Sequence, residues 1–265
     1  MTNAIEADKK NELPSCDKRV NVVGLMVNVC DYESAIEQIG EMVAERKGNY
    51  VCVANVHMTM ESRDDPEFGR LVNNAGLVVP DGMPLVWMQK LQGEEQAGRV
   101  RGPGLMPKLC RHAEKNNLIV GFYGGKPEVL EAMLKRLKED YPRLKVGYAY
   151  SPPFRKLTPE EDAEIVKNIN ESGTDILFAG LGCPKQERWM AEHKESLRAV
   201  MIGVGAAFDF YAGNIDESPE WLQKAGLEWF YRLMQEPKRL WKRYLILNPR
   251  FMILASLQLF GLKKF

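Results

Sequence analysis

Net charge is what this sequence lacks most plainly, because its 36 acidic residues are balanced by 36 basic residues. A chain without net positive charge has no general electrostatic attraction to nucleic acid, and we expect no nucleic-acid partner. Histidine and cysteine are scarce as well, and the three histidines and five cysteines follow neither a metal-ligand spacing nor a disulfide framework. We therefore expect no metal site and no cofactor, and we interpret the cysteines as free thiols of a reducing compartment.

Long apolar runs are absent too. A bilayer-spanning helix needs ~20 apolar residues, whereas the run at 251–262 is shorter and is interrupted by Ser256 and Gln258. Residues 1–18 are polar and charged and have no apolar centre, so they match neither a signal peptide nor a membrane anchor. We predict that residues 1–18 form a disordered tail.

Strand and helix patterns alternate through the chain up to about residue 215. This alternation is typical of a doubly wound, mostly parallel Rossmann-like sheet, and we assign residues 19–215 to one α/β domain. The segment 99–104 contains two glycines and a proline, and it is predicted to be a loop. Strands are predicted at 20–29 (one strand or a pair), 49–54, 77–79, 118–123, 145–150, 176–179 and 200–205, and helices at 32–46, 65–72, 83–92, 105–115, 128–141 and 158–169.

The stretch 175–193 carries the first functional signal. Its apolar strand runs into Gly180 and Gly182 and then into a helix that contains Lys185 and Gln186. A helix start presents unpaired N–H groups and a positive dipole end, and glycines let a phosphate approach, so this unit is suited to anion binding. An ordinary tight turn explains the same two glycines equally well.

Asp81 stands at the carboxyl end of the predicted strand 77–79, where ligands bind in open parallel sheets. A carboxylate in that position can act as a general base in catalysis. Aspartate is also a frequent cap at the start of a helix, and the helix predicted from residue 83 gives Asp81 that second possible role.

Residues 216–265 differ in character from the domain before them, and we assign them to a helical appendage. Aromatic and basic side chains are interleaved there with apolar positions, and no acidic residue follows Glu236. That combination is typical of helices that lie on an anionic membrane surface. Helices packed on the sheet, or in the interface of a homo-oligomer, would show a similar apolar pattern.

Several short blocks, in order along the chain, are more specific than any single glycine motif. They are Asn55, Pro80-Asp81-Gly82, Arg99-Val-Arg-Gly, Gly180-Leu-Gly-Cys-Pro-Lys-Gln-Glu, Gly203-Val-Gly-Ala-Ala-Phe-Asp, Gly226-Leu-Glu-Trp-Phe-Tyr-Arg-Leu and Glu236-Pro-Lys-Arg. Together they resemble the WecG/TagA/CpsF glycosyltransferases, glycosyltransferase family 26, over about residues 20–251. The resemblance implies an inverting enzyme that moves a sugar from a UDP-sugar to a polyprenyl-pyrophosphate-linked saccharide, on the cytoplasmic face of the membrane, in bacterial surface polysaccharide biosynthesis. The resemblance leaves three sugars open as the one transferred: N-acetylmannosamine, its uronic acid and glucose.

The resemblance also gives roles to individual residues. It implies Asp81 as the catalytic base and Arg99 as a second catalytic residue that stabilises departing UDP. The sequence has no Asp-x-Asp motif, so we expect arginines, amide groups and a helix terminus, rather than a metal, to meet the diphosphate charge. The substrate-binding residues predicted from the sequence patterns and the resemblance together are Asn55, His57, Gly102, Gly180, Gly182, Lys185, Gln186, Glu187, Asp209, Arg232, Arg239 and Arg243.

Several of these roles have a plainer alternative. Arg99 could form only a loop salt bridge, and Gln186 could occupy an ordinary exposed helix position. Asp209 could be a helix cap or could form a buried hydrogen bond. The arginines of the appendage could simply attract anionic lipid.

Two positions depart from the family pattern. Val53 stands where a threonine is frequent, and Gly104 stands where an aspartate is common. Both changes remove a polar group that could touch a sugar. Neither change affects Asp81.

Two further functions compete with glycosyl transfer. A dinucleotide-dependent oxidoreductase would explain the Gly-x-Gly loops, but no Gly-x-Gly-x-x-Gly follows the first predicted strand. A non-catalytic membrane adaptor would explain the appendage. It would leave Asp81 and Arg99 without a chemical role.

Overall fold

The computed structural model describes residues 16–265, so residues 1–15 of the predicted disordered tail lie outside the described residues. At its centre is a six-stranded sheet in which every neighbouring pair of strands is parallel. Helices cover both faces, which confirms the predicted α/β class with a doubly wound, Rossmann-like sheet. Across the sheet, the strands are β4 (Leu77–Pro80), β3 (Asn49–Ala54), β8 (Val200–Gly203), β7 (Ile176–Gly180), β5 (Ile119–Gly124) and β6 (Lys145–Tyr150).

An antiparallel hairpin precedes the sheet. Its strands are β1 (Arg19–Val22) and β2 (Leu25–Asn28), so the predicted segment 20–29 is a pair of strands. The helices that follow cover the sheet and begin or end within a few residues of most predicted bounds. They are α1 (Tyr32–Glu45), α2 (Val56–Asp64), α3 (Pro66–Asn73), α4 (Met83–Leu91), α5 (Gly102–Asn116), α6 (Pro127–Asp140), α7 (Pro159–Glu171), α8 (Lys185–His193) and α9 (Ala207–Ala212).

Alternate side chains of the central strands enter two separate cores, one on each face of the sheet. On β3, Val51 and Val53 lie in one core, while Tyr50 and Cys52 lie in the other. Because both faces are buried, these strands are continuous apolar runs rather than alternating ones. The two layers leave the carboxyl edge of the sheet as the place where loops can form a site.

The loop predicted at 99–104 was wrong in its second half, because Gly102 and Gly104 form the first turn of α5. The proline between them also suits this turn, where its missing N–H costs nothing. A Cβ atom on Gly102 would lie 2.9 Å from the carbonyl oxygen of Val204, and one on Gly104 would collide with the hydroxyl of Tyr32. These glycines therefore serve close packing of a helix start rather than a flexible loop.

Helix α2 was not predicted. Its apolar residues Val56, Met58 and Met60 alternate with polar residues in the sequence, a pattern typical of a strand rather than of a helix. Asn55 is the local signal, because its side chain caps α2 by accepting the backbone N–H of Met58 at 3.2 Å. The N-terminus of α2 consequently meets the carboxyl edge of the sheet.

The C-terminal segment is helical, as predicted, and it is fixed to the hairpin. Gln258 accepts the N–H of Val23 at 2.7 Å and donates to the carbonyl oxygen of Asn21 at 2.8 Å. Among the described residues, no helix combines the length and apolar character that crossing a bilayer requires. The domain boundary after residue 215 stays a prediction. The elements of this segment are α10 (Glu220–Lys224), α11 (Glu228–Gln235), α12 (Pro237–Lys242), a π-helical turn (Arg243–Leu247) and α13 (Asn248–Leu259).

Candidate active site

Four neighbouring strands end at one place, and two cavities that share lining residues lie between their carboxyl ends and the appendage. The larger cavity has a volume of about 750 Å³ and includes the loops after β7 and β8 in its lining. The smaller cavity has a volume of about 90 Å³ and is closed on one side by α11. Both are lined by Asn55, His57, Asp81, Arg232 and Arg243.

Asp81 lies at the junction of the two cavities. Its backbone N–H donates to the carbonyl oxygen of Ala54 at 2.7 Å, which ties the ends of β3 and β4 together. Gly82 is the N-terminal cap of α4 and no side chain caps that helix, so the alternative role of Asp81 as a cap is not seen. Although a quarter of its side chain is exposed, burial raises the pKa of Asp81 more than the nearby Arg99 lowers it. A carboxylate with a raised pKa is a better proton acceptor.

Arg99 joins the catalytic candidate to the appendage. Its Nε donates to the backbone carbonyl oxygen of Asp81, and one terminal nitrogen lies 3.7 Å from Oδ1 of the same residue. That nitrogen also donates to Oε2 of Glu228 at 2.7 Å. The salt bridge considered for Arg99 therefore exists, and it forms in the wall of the smaller cavity, next to Asp81.

Glu228 was missed by sequence reasoning. It also accepts a hydrogen bond from Arg101 at 2.9 Å, so a single carboxylate holds two arginines. Burial tends to raise the pKa of Glu228, but the attraction of Arg99 and Arg101 outweighs this and leaves the pKa lowered. Arg99, Arg101 and Glu228 all stand in the sequence blocks that resemble the family. Nothing in the sequence, however, shows that residues so far apart in the chain pair with each other.

Asn55 and His57 flank the start of α2. The side-chain oxygen of Asn55 is used as the helix cap, which leaves its amide nitrogen as the group that can donate to a ligand. Burial, with a smaller contribution from the charge of Arg243, lowers the pKa of His57 to about 4. Its imidazole is therefore neutral near pH 7, and its Nδ1 has no hydrogen-bond partner within residues 16–265.

The two loops after β7 and β8 are held together by one side chain. We call them the β7 loop (residues 181–184) and the β8 loop (residues 204–206). Oε1 of Gln186 accepts the N–H of Gly182 at 3.0 Å and the N–H of Gly205 at 3.2 Å. Gln186 is 3% exposed, so the alternative of an exposed helix position is wrong. The amides of Gly182 and Gly205 are satisfied within the protein and do not point freely at an anion.

The remaining predicted residues fall into three groups. Asp209, Gly180 and Gly182 line the larger cavity. Gly102 is packed against the β8 loop, Lys185 is exposed on α8, and neither residue lines either of these two cavities. Glu187 has no exposed surface and lies behind the cavity wall, where it cannot touch a ligand directly. The structure thus brings most, but not all, of the predicted set to one edge of the sheet.

Arginines of the appendage line the larger cavity, and their contact with a pyrophosphate stays a prediction. Arg232 lies over the ring of Phe210, 5.2 Å from its centroid, and its Nε has no hydrogen-bond partner in the described part of the chain. Arg239 and Arg243 line the same cavity. Because α12 and the π-helical turn carry them, the appendage gives this cavity its cationic side.

Possible metal ligands are dispersed. The five cysteines are free thiols, as predicted, and only Cys183 is partly exposed. Between residues 16 and 265, no group of three or more histidine, cysteine, aspartate or glutamate side chains could hold a metal ion.

Comparison with known proteins gives the same result as the sequence blocks. The family model described as glycosyl transferase WecG/TagA/CpsF matches residues 20–265. A protein of Bacillus spizizenii named N-acetylglucosaminyldiphosphoundecaprenol N-acetyl-beta-D-mannosaminyltransferase is 30% identical over 202 residues, which are 76% of each chain. A protein of Staphylococcus aureus with the same name is 28% identical over 225 residues, which are 84% of this chain and 87% of the relative. This chain therefore belongs to the WecG/TagA/CpsF family of glycosyl transferases.

Proposed function

We propose that this protein is an inverting, metal-independent transferase that moves a sugar from a UDP-sugar to a polyprenyl-diphosphate-linked saccharide. The names of the relatives favour N-acetylmannosamine as the sugar and an N-acetylglucosaminyl-diphosphate lipid as the acceptor. The observation that carries the proposal is the position of Asp81, whose carboxylate lines both cavities. A base placed there can reach an acceptor on one side and a donor on the other.

The larger cavity is the proposed donor site and the smaller cavity the proposed acceptor site. Asp81 takes the proton of the acceptor hydroxyl as the hydroxyl oxygen attacks the anomeric carbon of the sugar. The bond from that carbon to the diphosphate oxygen breaks, and UDP leaves with the electron pair. Because attack and departure take place on opposite faces, the anomeric configuration inverts.

Metal independence is proposed from the charges around the donor site. Departing UDP carries the negative charge of its diphosphate, which needs compensation. Arg232, Arg239 and Arg243 line the larger cavity and can supply it. The N-terminus of α2, which begins beside Asn55 at the same edge, adds a positive dipole end.

The appendage is the proposed contact with the cytoplasmic face of the membrane. It combines exposed apolar side chains with an excess of basic residues, the pattern of a helix that lies in the headgroup region. The lipid-linked acceptor would reach the smaller cavity from the membrane surface. The exposed apolar side chains are Trp221, Leu227, Phe230, Met234, Trp241, Leu245, Ile246, Met252, Ile253, Leu259, Phe260 and Leu262.

The test offers the purified protein a panel of UDP-sugars with a synthetic prenyl-diphosphoryl N-acetylglucosamine. We expect UDP-N-acetylmannosamine to give a product heavier by one sugar, with the inverted anomeric configuration in its NMR spectrum. Treatment with EDTA should leave the rate unchanged. A requirement for a divalent ion would refute metal independence, and retention of configuration would refute the proposed displacement.

A thermal-shift comparison separates the proposal from the oxidoreductase alternative. A ligand that binds only the native state raises the apparent melting temperature. We expect UDP to raise it and NAD to leave it unchanged. The reverse result would favour dinucleotide chemistry.

A further inference from the structure

Glu187 is a fully buried carboxyl group beside the proposed donor site. It is the third residue of α8, it has no exposed surface, and neither cavity is lined by it. A buried carboxyl group is costly unless it has hydrogen-bond partners. Its oxygen Oε1 accepts a hydrogen bond from Nε2 of the neighbouring Gln186 at 2.7 Å.

The same amide of Gln186 bridges the two loops at the edge of the sheet. Its oxygen accepts from Gly182 in the β7 loop at 3.0 Å and from Gly205 in the β8 loop at 3.2 Å. Room for the amide comes from Gly203, where a Cβ atom would lie 2.7 Å from Nε2 of Gln186. One side chain therefore sets the distance between two loops that belong to adjacent strands.

We propose that Glu187 is a positioning residue, which fixes the orientation of the Gln186 amide and thereby holds the β7 and β8 loops at the spacing that donor binding requires. This role rests on the proposed function, because it is the UDP-sugar that would lie against these loops. Residues Cys183 and Ala206 of the two loops line the larger cavity.

The chemistry of an amide explains why a carboxyl group is needed at this position. A glutamine side chain has an oxygen that accepts and a nitrogen that donates, and the two ends are nearly equal in size. Flipping the amide of Gln186 would turn its NH₂ group toward two N–H donors, and both loop bonds would be lost. Glu187 prevents the flip because its Oε1 offers an acceptor on the side where the nitrogen now lies.

The first measurement follows the two loop amides directly and needs no substrate. In the wild-type protein, the N–H groups of Gly182 and Gly205 should exchange slowly with deuterium, because Gln186 accepts both. We expect faster exchange at both glycines in E187A. E187Q, whose side chain can still accept the bond, should lose less protection than E187A. Unchanged exchange in folded E187A would overturn the role of Glu187.

The second measurement is UDP affinity by calorimetry. Loss of one buried hydrogen-bonded partner should weaken UDP binding by E187A by about tenfold, with a smaller loss in E187Q. Glu94 is a matched control, because its carboxyl group is also buried but pairs with Lys18 away from both cavities. We expect E94A to bind UDP like the wild type. An equal loss of UDP affinity in E94A would mean that the loss in E187A comes from general destabilisation of the fold.

A compensating exchange gives the sharpest test. Q186E alone places two carboxylates side by side and leaves Glu187 without a donor, so UDP binding should fall by about tenfold or more. In the double variant Q186E/E187Q, the new carboxylate can accept from both loops and from the new amide at position 187. We expect UDP binding to recover most of the loss. A double variant no better than Q186E would contradict the inference, whereas failure of the wild type to bind UDP would instead contradict the proposed function.

Discussion

Asp81 has the two properties that a catalytic base needs at this site. Its backbone is fixed by the hydrogen bond to Ala54, and its pKa is raised because burial outweighs the attraction of Arg99. Asn at this position keeps the size of the side chain but cannot take a proton. We expect D81N to lose about 10²–10⁴-fold in turnover, the usual contribution of a positioned base, while UDP affinity changes little. Sugar transfer followed by mass spectrometry, together with calorimetry, measures both quantities.

The pH dependence of kcat/KM is a second test of Asp81 as the base. Since the pKa of Asp81 is raised, wild-type kcat/KM should begin to fall on the acid side at a higher pH than for an ordinary carboxylate. D140N serves as the control, because Asp140 at the end of α6 accepts a hydrogen bond from Tyr211 of α9 and lines neither cavity. Near-normal turnover in D81N, or an acid limb that D81N retains, would argue against Asp81 as the base.

Glu187 links the stability of the fold to pH. Burial raises the pKa of this carboxyl group from 4.5 to about 7, and Gln186, Cys183, Cys52 and Arg243 are the groups that face it. The folded state holds the proton of Glu187 more tightly than the unfolded state does. The stability that the protonated Glu187 contributes is therefore lost as the pH rises from about 4.5 through about 7. Relative to E187Q, the wild type should lose roughly 3 kcal/mol over that range. Urea unfolding at several pH values measures this, and a constant difference between the two proteins would contradict it.

At the scale of elements, Glu228 is the main ionic contact between α11 and the α/β domain. It accepts hydrogen bonds from Arg99 and Arg101, and only 12% of its side chain is exposed. We expect E228Q to lower the free energy of unfolding by about 2–3 kcal/mol, since it leaves two arginines without their shared carboxylate. The pKa of Glu228 is lowered, so this contribution should disappear as the pH falls.

A control for E228Q lies in the same appendage. Glu236 pairs with Arg239 at 2.5 Å and is more exposed, with 27% of its side chain accessible. An exposed ion pair contributes about 0–1 kcal/mol to stability, so E236Q should lower the free energy of unfolding by no more than about 1 kcal/mol. Equal effects of E228Q and E236Q in urea unfolding would show that Glu228 does not fix α11.

Local signals predicted most elements. Thr158 and Glu161 form the capping box that begins α7, and the strands that immediately precede Asn55 and Asp81 follow from buried apolar runs. Helix α2 was missed because its apolar residues alternate with polar ones in the sequence, as in a strand. The start of α5 was missed because its glycines serve packing rather than a turn.

Contacts between distant residues account for what the sequence could not show at the site. Asp81 could be placed from its strand alone, because parallel strands bring their carboxyl ends to one edge. The bond from Arg99 to Glu228 joins residues 129 positions apart, and no pattern in either segment indicates it. Glu187 and Gln186 are neighbours in the chain, but their roles depend on which side of α8 is buried. Sequence could thus predict most of the residues that gather at this edge of the sheet, but not Glu228, and not which of the predicted residues are buried behind the cavity wall.

At the scale of the whole molecule, the appendage covers the carboxyl edge of the sheet and also exposes an apolar surface. Leu240, Phe251 and Ala255 are buried, whereas Trp241, Ile253 and Phe260 are exposed. One set of helices can therefore line the active site and lie on a membrane at the same time. A homo-oligomer that covers this apolar surface stays a prediction, and the oligomeric state in solution with and without vesicles would test it.

Membrane binding can be separated from catalysis by changing exposed side chains only. We expect W241S/I253S/F260S to float with anionic vesicles about tenfold less well than the wild type, because it loses apolar area that would enter the headgroup region. Val146 and Phe154 are exposed apolar residues elsewhere on the molecule, and V146S/F154S should float normally. The attraction of the basic residues should weaken with salt in both variants. Undiminished flotation of W241S/I253S/F260S would contradict the proposed membrane surface.

Removing the chain after Pro237 should have a second effect that the serine variants lack. The deletion takes away Arg239 and Arg243, which line the proposed donor site, along with the buried Phe251. We therefore expect the deleted protein to lose flotation and also to lose turnover on a short, water-soluble acceptor. W241S/I253S/F260S should keep turnover on that acceptor and lose it only on acceptor embedded in vesicles. Full turnover of the deleted protein on the soluble acceptor would show that the appendage anchors the enzyme without completing its active site.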